Sequence, residues 1–340
     1  MGIAMSATRR CWKHVRERGA RWRFALVSLL GLSFMSWAWF SFAAPPQGSR
    51  VVVLIERGAS FYLQALRGFK QSFTPAADAG VSYVDVDVRE LHAAVEELRK
   101  APPQLVVAFG TQAAVAAKSR LPRASVLYCL ALNPVKNDLV GANVGGIRLE
   151  VDFAQQFSDL ERLVPHIRRL GVIYSEPVSG RLVRQARAEL KPGVELIARD
   201  ARDPRQAAQF IEEIMGQVDA FWLLWDAVIA NVPNFRLLVD LSLKNKVALM
   251  APAPPFVEAG ALMSVSADYE KAGQRAGEMT RLVLAGGRAG DFPAEPPPGR
   301  LVTINAAVAR QLKISIPPTL HAEILSPSVA FVEAPGSSTR

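Results

Sequence analysis

Cysteine is almost absent from this 340-residue chain: Cys11 and Cys129 are the only two. They offer no disulfide framework, and Cys129, inside "SVLYCLAL", reads as a small buried apolar residue. The four histidines are scattered without metal-ligand spacing, so neither a metal nor another cofactor is expected. No G-x-S-x-G elbow and no Walker loop occur, and "GANVGG" at Gly141 misses the G-x-G-x-x-G spacing. His92, His166 and His321 stand in helix-like or turn-like stretches with no nucleophile beside them. The chain does not read as an enzyme.

A net basic excess is nearly absent from most of its length. The net charge is +9, yet the first 23 residues hold seven bases (Arg9, Arg10, Lys13, Arg16, Arg18, Arg21, Arg23) against one acid, Glu17. The rest of the chain carries only about +3, with no basic cluster interleaved with aromatics, which speaks against nucleic-acid binding. Behind the basic head comes the uncharged "FALVSLLGLSFMSWAWFSFAA", residues 24–44, with Ser41 and Ala43 placed as at an A-x-A-like exit. Basic head, apolar middle and small-residue exit make residues 1–44 a secretory signal peptide. Twenty-one residues also suffice to span a bilayer, so an uncut anchor is the alternative. Either way the remainder, about 297 residues after a cut at Ala43, is delivered across the membrane to the periplasm. That length suits two domains.

What is present is alternation. "RVVVLIE", "QLVVAFG" and "ASVLYCLAL" are unbroken apolar runs, as in strands buried on both faces, and helix-forming stretches separate them. The pattern restarts after "FAQQFSDLERLVP" with strand "RRLGVIYSE", helix "GRLVRQARAEL" and strand "VELIARD". The expected fold is α/β, with two doubly wound parallel-sheet lobes. A long helix, "YEKAGQRAGEMTRLVLAGG", ends in a glycine pair suited to a C-cap.

Ligands of such sheets gather beyond the carboxyl ends of the strands. The polar residues there are Glu56, Ser60 and Phe61 after the first strand, and Thr111 and Gln112 after "LVVAFG". Asn133 follows "SVLYCLAL", Ser175, Glu176 and Ser179 follow "LGVIY", and Asp226 follows "AFWLLW". Thr111 and Ser179 open helices whose free N–H groups favour an anion, and Asp226 or Glu176 would meet a donor. Each has a plainer reading: caps for Thr111, Ser179 and Asp226, a turn at Asn133-Pro134, a core position for Phe61. If two lobes face each other, these ends converge on one cleft.

The chain resembles the ABC transporter substrate-binding protein family whose characterised members take up tryptophan or tyrosine. The likeness rests on "GF" at Gly68, "PPQLVVAFGTQAA" at Pro102, "NPV" at Asn133, "LVPHIRRLGVIYSE" at Leu163, "VDAFWLLWD" at Val218, "GALMSVSADYEKAGQRAGEM" at Gly260 and "INAAVARQLKISIP" at Ile304. The resemblance implies a type I periplasmic-binding-protein fold, with a hinge and an interlobe cleft. Residues 50–165 with 268–300 would form the first lobe, 166–267 with 301–325 the second, and 332–340 a disordered tail. Thr111, Gln112 and Asn133 would wall the ligand from one side, and Ser175, Glu176, Ser179 and Asp226 from the other. The family usually has "DPV" where this chain has "NPV", "NVTG" where it has "NVGG" at Asn143, and often "DNTV" after the strand that here leads to Asp226-Ala227-Val228.

The implied function is capture of a small molecule, an amino acid or related metabolite, by interlobe closure. The partner would be an inner-membrane ABC permease, and the protein a monomer. A ligand-sensing extracytoplasmic module not coupled to transport is the alternative.

Overall fold

The structure, a computed structural model, describes residues 51–74, 80–87, 89–320 and 322–325. Residues 1–44, expected to be a signal segment, and the expected tail at 332–340 lie outside these residues. The first sheet is built from β1 (Val51–Glu56), β2 (Val81–Val86), β3 (Leu105–Phe109), β4 (Ser125–Ala131) and β5 (Val144–Arg148). All pairings are parallel, in the order β2-β1-β3-β4-β5. Helices α1 (Ser60–Ser72), α2 (Leu91–Lys100) and α3 (Thr111–Arg120) connect the strands.

The second sheet has β6 (Arg169–Tyr174), β7 (Glu195–Asp200), β8 (Ala220–Trp222), β9 (Ala248–Ala251), β10 (Met263–Ala267), β11 (Arg300–Asn305) and β12 (Glu323–Leu325). Its order is β7-β6-β8-β9-β10-β11-β12, repeating the first sheet's winding and adding an edge where β11 runs antiparallel to β10. Its helices are α4 (Phe153–Leu163), α5 (Glu176–Ala188), α6 (Pro204–Ile214), α7 (Val232–Asn245), α8 (Pro254–Glu258) and α10 (Ala306–Gln311). Helix α9 (Tyr269–Leu284) returns to the first lobe and lies along α1. The backbones approach so closely that a Cβ on Gly68 would meet the Glu270 carbonyl at 1.9 Å, and one on Gly273 the Ala65 carbonyl at 1.7 Å.

Each sheet is covered on both faces, as its apolar strands require. In the first lobe, Phe69, Phe109 and Met279 pack on one face, and Leu98, Ala117 and Val126 on the other. In the second, Phe157, Val183 and Trp222 oppose Ile211, Phe221 and Leu238. Helix α4, expected within the first lobe, belongs to the second core. Phe153 and Phe157 stand edge-on to the Trp222 ring, at 5.4 and 5.3 Å. An amphipathic helix shows which face it buries, not which sheet it covers.

The chain therefore passes between the lobes at residues 149–152, again at 267–268, and a third time before β11. The last two passages are tied by the Asp268 N–H donating to the Gly299 carbonyl at 2.9 Å. Beside them Asp159, 1% exposed, accepts from Arg300 Nε and Nη2 at 2.5 and 3.0 Å, fixing β11 to α4.

Strand β5 was not legible in "NVGGIR". A Cβ on Gly146, at φ +143°, would lie 2.0 Å from the Tyr128 carbonyl. Gly146 admits β5 beside β4 at Tyr128, just ahead of the register shift between Cys129 and Ala131.

Candidate functional site

Both sheets reverse their winding at one place, between β1 and β3 and between β6 and β8. Ligands of doubly wound sheets collect outside the strand carboxyl ends at such reversals.

On the first lobe, the Glu56 carboxylate at the end of β1 folds over the start of α3 and accepts the Gln112 N–H at 3.1 Å. Burial raises its pKa, against a lowering by the Gln112 and Ala113 N–H groups. The helix N-terminus, expected to hold an anionic part of the ligand, is thus occupied by the protein's own acid. Thr111 Oγ1 accepts the Leu132 N–H at 2.8 Å and braces the loop after β4. Phe61 stacks on Tyr269, ring centroids 5.0 Å apart. Ser60 and the Gln112 side chain are exposed.

On the second lobe, α5 begins at Glu176, not at Gly180, so Ser179 lies inside the helix and is buried. The helix start is again satisfied internally. The Ser175 N–H donates to Asp226 Oδ2 at 2.9 Å, and the Glu176 N–H to Asp200 Oδ1 at 2.8 Å. Asp226 Oδ1 accepts the Val228 N–H at 3.1 Å, so both its oxygens are engaged. Glu176 pairs with Arg184 on the surface. Neither acid is free to meet a ligand donor in this arrangement, and the helix after Asp226 starts only at Val232, capped by Asn231.

The lobes touch where Asn133 Nδ2 donates to the Val178 carbonyl of α5 at 3.1 Å. Trp225, from the second lobe, packs against the first-lobe core cluster, as Phe61 and Leu132 do. Between the lobes lies a cavity of about 40 Å³, lined among others by Leu132, Glu150, Ser179, Trp222, Trp225 and Ser266. A wider cleft of about 670 Å³ adjoins it, bounded by Asn133, Arg148, Asp152, Arg181 and Gln185, and it shares Glu150, Phe153 and Leu182 with the gap. Of the residues expected at the site, Asn133 and Ser179 line these spaces, and Thr111 supports them through Leu132. Ser60, Phe61, Gln112, Ser175, Glu176 and Asp226 line neither.

Sequence reading missed Glu150, Trp222, Trp225 and Gln156. Gln156 is anchored by the Val151 carbonyl at 2.7 Å and accepts the Trp222 Nε1–H at 3.3 Å. The signal for Glu150 was a lone acid between apolar Leu149 and Val151 on a segment that passes between lobes. Its Oε1 accepts the Asn133 N–H at 2.7 Å.

Two lobes of the same winding, joined by three passages with a gap between strand ends, define the type I periplasmic-binding-protein fold. A family profile described as ABC transporter substrate binding protein matches residues 83–326, and the chain belongs to that family. A tyrosine-binding protein from Clostridioides difficile is 26% identical over 198 residues, 56% of this chain and 57% of that protein's length. A domain from Streptococcus pneumoniae solved in complex with L-Trp superposes with TM-score 0.64 at 23% identity, covering 82% of this chain and 99% of that one. A ligand-free, open substrate-binding protein with adhesive properties from Clostridium difficile gives TM-score 0.68 at 18% identity, covering 82% and 99%. The last two establish the fold.

Proposed function

We propose that this protein is the exported receptor of an ABC importer and captures an amino-acid-like solute with an apolar or aromatic body between its lobes. The observation that carries the reading is the interlobe gap, where Leu132 and Glu150 face Ser179, Trp222 and Trp225 across the strand ends. Aromatic walls with a few polar groups are what small-solute sites present. The present gap of about 40 Å³ is far below the roughly 300–1,000 Å³ of such sites. A solute therefore enters with the lobes apart, and closure about the three passages brings Asn133 back to Val178. The basic, apolar N-terminal segment supports delivery across the membrane, where an importer's permease is met.

The test is a thermal-shift screen of the protein against amino acids and small metabolites. A solute at 100 times its Kd adds about 2.7 kcal/mol of stability. Tryptophan or tyrosine raising the melting temperature supports the reading. A raised melt with only unrelated compounds replaces the ligand class, and no response to any compound refutes capture.

A further inference from the structure

We propose that Glu150 is the counter-ion for a cationic nitrogen, ammonium or amidinium, carried by the solute that enters the interlobe gap. The proposal rests on the reading of that gap as the capture site. Glu150 stands where the narrow gap meets the wider cleft and lines both. Its two oxygens are not equivalent. Oε1 is held by the Asn133 N–H, which fixes the carboxylate in place. Oε2 is shut off from solvent and has no hydrogen-bond partner.

A buried carboxylate oxygen left alone is costly, and proteins either pair such a group or keep it for use. The charged groups around it are accounted for. Arg148, the adjacent base, directs its guanidinium to the Glu150 backbone carbonyl and to Asp152, not to the Glu150 carboxylate. Across the cleft stand Arg181 of α5 and Glu189 just past its end, and the lining residues from β8, β10 and the loops after β8 and β9 bring no charge. Burial accordingly raises the Glu150 pKa, with only lesser lowering by its own N–H, the Asn133 N–H and Arg148. An entering cation would relieve this by supplying the missing partner in a place already desolvated, where a charge-assisted bond is strongest. Phe153, Trp222 and Trp225 beside it would take the apolar body of the same solute.

The experiment compares the wild-type protein with Glu150→Gln, which retains an acceptor for the Asn133 N–H and nearly the same volume. Both are titrated calorimetrically with amine and des-amino pairs: L-tryptophan with indole-3-propionate, L-tyrosine with 3-(4-hydroxyphenyl)propionate, and further pairs spanning the aliphatic amino acids. The wild type should bind the amine member at least tenfold tighter, and Glu150→Gln should erase that preference while binding the des-amino member no more weakly. Without ligand, Glu150→Gln should melt no lower than the wild type. A preference for the amine that survives in Glu150→Gln overturns the proposal and leaves capture standing. So does a ligand-free variant that melts several degrees lower, which would make the carboxylate a structural anchor. Wild-type binding of no pair overturns both readings.

Discussion

Two acids follow strand ends near the interlobe gap, Glu150 lining it and Asp226 behind its wall next to Trp225, and their surroundings differ. Asp226 is 1% exposed and gives an oxygen each to the Ser175 and Val228 N–H groups. Glu150 satisfies one N–H and leaves its second oxygen with none. Both follow strands of a doubly wound sheet, the position from which a ligand role is inferred. What separates them is the fate of each oxygen. Asp226 joins the loop after β8 to the start of α5 and builds the wall. Glu150 is held out into the gap.

The most severe break of this contrast is Asp226→Ala, which leaves two backbone donors without their acceptor. It should cost about 3 kcal/mol, read in chemical denaturation. Stability within a few tenths of wild type would remove the distinction between the two acids. Glu150→Gln should move the other way, gaining about 1 kcal/mol at neutral pH, as relief of a functional site does. The sign follows from its raised pKa. Such an acid favours the folded state below its unfolded value near 4.5 and loses that contribution as pH rises through the folded value. The advantage of Glu150→Gln should therefore grow from pH 4 to pH 8, and Glu56, present in both proteins, cancels.

Asn133→Ala sharpens the contrast from the other lobe. It deletes the bond to Val178 and places alanine at φ +43°, so a loss of about 1 kcal/mol is expected. Small-angle scattering should show a larger radius of gyration as the lobes part. The smallest effect belongs to Glu56→Ala, about 0.5 kcal/mol from the loss of a helix cap, with faster amide exchange confined to the first turn of α3.

The winding of both sheets was readable because strands such as Leu105–Phe109 are unbroken apolar runs separated by helix-forming stretches. β5 escaped because Gly146 serves a close approach to Tyr128, and Gly145 one to Ala289, that no local pattern announces. The site was half legible. Asn133 and Ser179 could be placed at strand or helix ends by position alone. That Glu56, Asp200 and Asp226 already satisfy the helix starts could not, since those bonds join segments 24 to 56 residues apart. Glu150 was hidden for a similar reason: only the assembled lobes bury it.

The return of α9 to the first lobe also bears on synthesis. Tyr62, Phe69 and Phe73 are covered by residues 269–284, which leave the ribosome after nearly all of the second lobe. A nascent chain thus carries an unfinished apolar surface through most of its translation, while α4 and the strands through β10 already have partners. A protein of this design gains from staying unfolded, or chaperoned, until its carboxyl-terminal third is complete.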